Sequence, residues 1–196
     1  MKKLIEESLE KAISYDQYRT LVSDLIEQGK STGEIQSDDL LNYSILNDKR
    51  MNRLDKTIEI SENTKNKVKN VKKEQTWLVL TEGWCGDAAQ NIPVINKIAE
   101  QNSKINLKFV LRDENPELMD QFLTNGGKAI PKLIAIDDES NVLGTWGPRP
   151  SEATSMVADY KEKYGKLDPE FKKDLQIWYN KNKGRNTEND LLSLFN

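Results

Sequence analysis

The chain has 196 residues, 36% of them hydrophobic and 31% charged, which suits one soluble domain with elaborations or a domain plus a small helical subdomain. Its 29 basic and 32 acidic residues are interspersed and leave a formal charge of −3, so there is no electrostatic case for nucleic acid or a membrane surface. Histidine is absent and Cys85 is the only cysteine, which excludes an internal disulfide, zinc sites, and serine-histidine or cysteine-histidine triads; no metal or organic cofactor is implied.

Met1-Lys2-Lys3 begins basic, but Glu6, Glu7 and Glu10 follow in place of a signal-peptide apolar region. No apolar stretch approaches the roughly 20 residues that span a bilayer, and the expected location is cytoplasmic. The first seventy or so residues read as helical, without strand-like alternation. Leu4, Ile5, Leu9, Ala12 and Ile13 recur at helical spacing, as do Tyr18, Leu21, Val22, Leu25 and Ile26. Ser14 with Gln17 fits a capping box opening the second helix, and Gly29 with Gly33 marks its end. A third helix begins after Ser37 and is expected to carry Leu40, Leu41 and Ile45 inward; its continuation through Met51, Leu54 and Ile58 is open. The polar, lysine-rich segment from Ser61 to Glu74 reads as a short surface helix, with a linker as the alternative.

From there the pattern changes. Trp77-Leu78-Val79-Leu80 has the compact apolar character of a buried strand, and Ile92, Val94, Ile95, Ile98 and Ala99 follow at helical spacing. Leu107 to Leu111 reads as a second buried strand, and Pro116 to Leu123 as a helix stopped by Asn125-Gly126-Gly127. Leu133 to Ile136 and Val142 to Trp146 are predicted to form an antiparallel hairpin through the polar turn Asp137 to Asn141. Strands alternating with helices before a closing hairpin imply an α/β fold, a small mixed sheet covered by helices. Beyond Ser151, Ala153, Met156, Val157 and Tyr160 form one helical stripe, and Phe171, Leu175 and Trp178 another. Leu191, Leu192, Leu194 and Phe195 suggest a tail that docks.

A strand running into Trp84-Cys85-Gly86-Asp87-Ala88, followed by a helix containing Pro93, resembles thioredoxin and its Trp-Cys-Gly-Pro-Cys turn. Asp113-Glu114-Asn115-Pro116 is similar to the family's Asp-x-Asn-Pro after the next strand. Ala129-Ile130-Pro131 looks like the segment that carries the cis-proline facing the thiol, with Gly147 at nearly the family spacing. The resemblance covers about Thr76 to Gly147 and implies a thioredoxin-like domain over residues 61–165, with helical extensions over 1–60 and 166–196. A cis bond before Pro131 would turn the Ile130 backbone toward Cys85, where a partner chain could pair with it.

Two departures set the expected chemistry. Ala88 stands where the family's resolving cysteine belongs, and Val79 where its buried acid belongs. A dithiol cycle is therefore closed to this chain alone. What the resemblance leaves is a monothiol, with Cys85 as nucleophile or redox-sensing thiol and an external thiol needed for release. Trp84, Gly86, Asp87, Ile130, Pro131 and Arg149 are the expected substrate-binding residues, and the expected partner is a thiol- or disulfide-bearing protein or a low-molecular-weight thiol. A helix N-terminus lowers a thiol's pKa, whereas Asp87 opposes a second negative charge, which leaves the balance open. Arg149 is placed to hold the thiolate or an anionic group of a small thiol. Plainer readings stand beside these: Cys85 as a core residue, Trp84 as packing, Asp87 as a first-turn carboxylate favoured by the helix dipole, and the whole as a noncatalytic peptide- or protein-binding module.

Overall fold

Four apolar runs become the strands of one sheet. The computed structural model describes residues 1–195, with the side chain of Phe195 outside the description, so the expected docking of that residue lies beyond it. Strand β1 (Gln75–Thr81) lies between β2 (Ile105–Leu111), parallel to it, and β3 (Lys132–Ile136), antiparallel; β4 (Val142–Trp146) completes the order β2-β1-β3-β4. The parallel pair needs a crossover, supplied by helix α5 (Gly86–Ala99) with Pro93 inside it. The last pair is the expected hairpin, with a register shift between Ala135 and Ile136.

Because side chains alternate across a strand, β1 feeds two cores. Trp77 and Val79 enter one with Tyr18, Met51, Ile92 and Ile95, while Leu78 and Leu80 enter the other with Ile5, Leu118, Met119 and Ile130. The first face is covered by α2 (Tyr15–Glu27), α3 (Asp38–Thr57) and α5, and the second by α1 (Lys2–Lys11) and α6 (Pro116–Gln121). This is why the strand reads as a continuous apolar run.

The helical boundaries follow local chemistry. Ser14 and Gln17 complete the capping box of α2, and Ser37 caps α3 by accepting from the Leu40 N–H. Helix α3 runs unbroken to Thr57, but its inward face is Ser44, Asn47, Met51 and Leu54. Leu40, Leu41 and Ile45 are only partly buried, whereas the polar Asn47 is fully buried and donates to the Gly83 carbonyl in the turn that carries Cys85. Helix α1 stops before Ala12, and Ile13 leaves the helical pattern to pair with Phe109, exchanging N–H···O bonds of 2.9 and 2.8 Å. That single bridge covers the open edge of β2. The lysine-rich segment forms α4 (Glu62–Lys69), which is more than a surface helix: Thr64 and Val68 are fully buried.

Helices α7 (Ser151–Tyr164) and α8 (Pro169–Asn182) share a third cluster of Ala153, Val157, Phe171, Leu175 and Tyr179. Helix α9 (Arg185–Leu191) and a 3-10 turn (Leu192–Phe195) bring Leu191 and Leu194 onto the main core, so the tail docks through these two. Among the described residues no helix is long and apolar enough to cross a membrane, and no cluster of acidic or cysteine side chains is suited to hold a metal ion.

Candidate functional site

The turn from β1 into α5 is held from three directions. The Gly83 N–H donates to Thr32 Oγ1 at 2.9 Å, and the Gly83 carbonyl accepts from Asn47 Nδ2 at 3.0 Å, so both backbone groups of one residue are tied to buried side chains. Glu82 is fully buried; one carboxylate oxygen accepts from the Asp113 N–H at 3.0 Å, and burial pushes its carboxyl above the ordinary range. Trp84 packs on the second core, with the Arg112 guanidinium 4.8 Å from its ring centre and Arg112 itself paired to Asp113 at 2.7 Å. The rim of the site thus carries a cation-π contact.

Cys85 is the N-cap residue of α5 and keeps partial exposure. Its thiol donates to the Ile130 carbonyl at 3.3 Å, and the Ile130–Pro131 bond is cis. Sequence distance therefore collapses where the resemblance implied: Cys85 and Ile130-Pro131 face each other. Burial first, and the Asp87 carboxylate second, push the thiol up to about 12 against the pull of the Ala88 and Asp87 amides and of Arg149. Although the residue reaches solvent, its sulfur sits against both cores. Desolvation outweighs the helix N-terminus, and the thiol is protonated at rest.

Asp87 is the hub beside it. Its Oδ2 accepts from Arg149 at 2.7 Å and its Oδ1 from the Tyr179 hydroxyl at 2.9 Å. Burial raises its carboxyl above the ordinary value, opposed by Arg149 and then by Tyr179. The network continues from Tyr179 to Asn91 at 3.2 Å and from Asn91 to Thr187 at 2.7 Å, which joins α8, α5 and α9. Arg149 thus meets the carboxylate rather than standing free for a ligand, while its charge still favours the Cys85 thiolate. Gly147 permits the loop that delivers it: φ is +111° and a Cβ there would collide with the Pro131 carbonyl.

Every expected site residue is accounted for. Cys85, Gly86, Asp87, Ile130, Pro131 and Arg149 converge, and Trp84 lies at the rim. On either side of Ile130-Pro131 stand two lysines: Lys128 pairs with Asp120 at 2.8 Å, whereas Lys132 is buried, with its ammonium pushed below the ordinary range by burial. Tyr179, Asn47, Glu82 and Arg112 were not foreseen. Glu82 carried a usable signal, a charged residue directly after a buried strand and three before the cysteine. The others act across long sequence separations and give none.

No curated protein matches the sequence. Among solved structures, the fold is similar to a protein of unknown function, PA1234 from Pseudomonas aeruginosa, at TM-score 0.60 and 16% identity over 76% of this chain and 83% of that one. It is also similar to an HIV epitope-scaffold at TM-score 0.58 and 16% identity, over 88% of this chain and 95% of that one. A family model described as Thioredoxin matches residues 33–161, from the loop before α3 into α7, a span that holds Cys85, Asp87, Pro131 and Arg149; the chain belongs to the thioredoxin family.

Proposed function

We propose that the protein is a monothiol of thiol-disulfide exchange, with Cys85 as nucleophile and Asp87 as the acceptor of its proton. The observation that carries this reading is a partly exposed residue whose buried thiol meets the Ile130 carbonyl and is electrostatically coupled to the Asp87 carboxylate. A thiol with pKa near 12 is unreactive as it stands. If its proton passes to Asp87 during attack, the negative charge of the pair stays single and remains opposite Arg149, so no uncompensated buried charge is created.

In the forward step Cys85 sulfur bonds to one sulfur of a disulfide, the old S–S bond breaks, and the leaving sulfur takes the electron pair and then the proton from Asp87. In the release step an external thiol attacks the mixed disulfide. A new S–S bond forms between that thiol and the bound group, the bond from Cys85 sulfur to that group breaks with Cys85 keeping the electron pair, and Cys85 takes up the proton that the attacking thiol gave up. With Ala88 in place of a second thiol, release must come from outside. The Ile130 backbone offers the extended partner chain a place to pair. The partner class is a disulfide-bearing protein or a low-molecular-weight thiol.

The test is intact-mass detection of a mixed disulfide on Cys85 after incubation with hydroxyethyl disulfide at pH 8, followed by its release with added thiol. Exchange per thiolate is expected to fall in Asp87→Asn. A sulfur that forms no mixed disulfide until the protein unfolds would overturn the proposal. The elevated thiol pKa itself favours a second reading, a noncatalytic module that uses the groove between Cys85 and Pro131 to bind a peptide; a Cys85→Ser chain with full peptide affinity and unreactive wild-type thiol would select it.

A further inference from the structure

Helices α7 and α8 differ from the rest of the chain in what holds them. Neither sheet core contains a residue of either helix; Ala153 and Val157 on α7 form a cluster of their own with Phe171, Leu175 and Tyr179 on α8. The hairpin carries its own small core, and what ties α8 to the sheet domain is polar. Tyr179 donates to Asp87 at 2.9 Å and accepts from Asn91 at 3.2 Å. Gln176 accepts from Gln90 and Asn180 from Arg53, both at 2.8 Å. Among the described residues no ion pair joins α8 to another element.

The surface beneath α8 is polar as well. The first turns of α5 present Asp87, Gln90 and Asn91 to it, and the last two are 5% and 0% exposed. A Cβ on Gly86 would stand in van der Waals contact with Gln176, so α8 covers the two residues that directly follow Cys85. A polar group that leaves its partner regains one from water, whereas parting an apolar core exposes surface that water rejects. Elements held mainly by polar contacts are therefore the ones that open short of global unfolding. Both ends of the hairpin meet α9. Ser151, at the start of α7, is held through its N–H and hydroxyl by Asp190 at 2.6 and 2.8 Å. Helix α8 ends in the left-handed pair Lys183 and Gly184, and a Cβ on Gly184 would lie 2.6 Å from the Val94 side chain, which pins that end against α5.

We propose that the α7–α8 hairpin is a hinged cap, which closes over Asp87 and the first turn of α5 and swings away as one unit, pivoting at α9, to open the thiol site. The cap rests on the exchange reading for its purpose and not for its motion. Closed, Tyr179 and Arg149 hold the Asp87 carboxylate out of water beside the thiol. Open, Asp87 is hydrated, its charge is screened from the sulfur, and the thiolate forms more readily. Because α7 and α8 move together, their shared core stays intact in both positions.

The motion is read by iodoacetamide labelling of single cysteines placed in a Cys85→Ser chain, at pH 8 and in rising urea below the unfolding transition. Gln90→Cys reports the surface under α8, Ala89→Cys the main core and Ala153→Cys the core of the hairpin. The Gln90→Cys probe is expected to label with a shallow urea dependence, since the opening exposes less surface than unfolding. The other two are expected to label only with the steep dependence of global unfolding. Tyr179→Phe, which removes a hydrogen bond to a carboxylate, is expected to speed the Gln90→Cys probe about tenfold. A steep dependence at Gln90→Cys, or a rate that ignores Tyr179→Phe, would overturn the cap. Labelling of Ala153→Cys together with Gln90→Cys would show that the hairpin melts rather than swings, and overturns it too. These chains lack the thiol, so their outcome is independent of any exchange chemistry. In the wild-type chain Cys85 labelling is expected to follow the shallow dependence of Gln90→Cys, and a different one would overturn the cap's control of the thiol even if Cys85 forms mixed disulfides.

Discussion

At Cys85 two opposing influences meet within one turn of helix, and their magnitudes decide the resting state. The α5 amides stabilise a thiolate, but the sulfur is desolvated and Asp87 adds a negative charge beside it, with a net rise to about 12. Asp87→Asn removes the second largest of the raising influences and frees the Arg149 charge to face the sulfur. The sign is therefore downward: the midpoint of Cys85 alkylation against pH falls by about 1 unit or more, and iodoacetamide labelling at pH 8 becomes correspondingly faster. A midpoint that stays in place would mean that burial alone sets the thiol and that Asp87 is a structural partner of Arg149. The position of Cys85 at a strand-to-helix turn was legible in the sequence because the surrounding motif is contiguous. The direction of its pKa was not, since desolvation depends on Tyr18, Ile130 and the two cores, which the sequence does not place around one atom.

Elements differ in how far their sequence betrays them. Strands β1 and β2 were legible because an apolar run long enough to be covered on both faces has few alternatives, and the polar turn between β3 and β4 marks its hairpin by composition. The inner face of α3 was misread, because Leu40, Leu41 and Ile45 are the apolar residues while Asn47 is the one fully buried at the turn. Ile13 gave no sign either, as one bridging residue has no period. The Arg149 loop shows the same dependence on distant backbone. Gly147 has φ +111° and no room for a Cβ beside the Pro131 carbonyl, whereas Gly165, at φ +78°, has open space around it. Gly147→Ala is thus expected to cost about 3 kcal/mol or more, combining left-handed strain with a clash against backbone that cannot give. Gly165→Ala is expected to cost about 1 kcal/mol, from strain alone. Urea midpoints compared at constant m-value read the difference, and equal losses would show that the loop moves to accept the methyl.

Across the whole molecule, segments far apart in the chain are joined by buried polar contacts that no hydrophobic pattern announces. The leucines of the tail predicted its docking, and Leu191 confirms it in the main core. What fixes its orientation, however, is Glu188, only 1% exposed. One of its oxygens accepts from the Ser61 N–H at 3.0 Å, the Ser61 hydroxyl at 2.8 Å and the Thr64 hydroxyl at 2.9 Å, while the other meets Arg185 at 2.8 Å. The carboxylate therefore locks α9 to the N-terminal cap of α4, and α9 in turn supplies Thr187 to the Asn91–Tyr179–Asp87 network beside the thiol. Removing it takes the shared acceptor from the Ser61 amide and from the Ser61 and Thr64 hydroxyls, the hydroxyls keeping their bond to each other, so Glu188→Ala is expected to destabilise the fold by about 2–4 kcal/mol. Glu170→Ala, at an exposed position of α8, should stay within about 0.5 kcal/mol. Chemical denaturation followed by tryptophan fluorescence separates the two, and Cys85 alkylation in the still-folded Glu188→Ala protein tests the connection to the site. If loosening α9 relaxes the hold of Tyr179 on Asp87, the labelling midpoint moves with stability; if stability falls and the midpoint does not, the tail supports the fold without reaching the thiol.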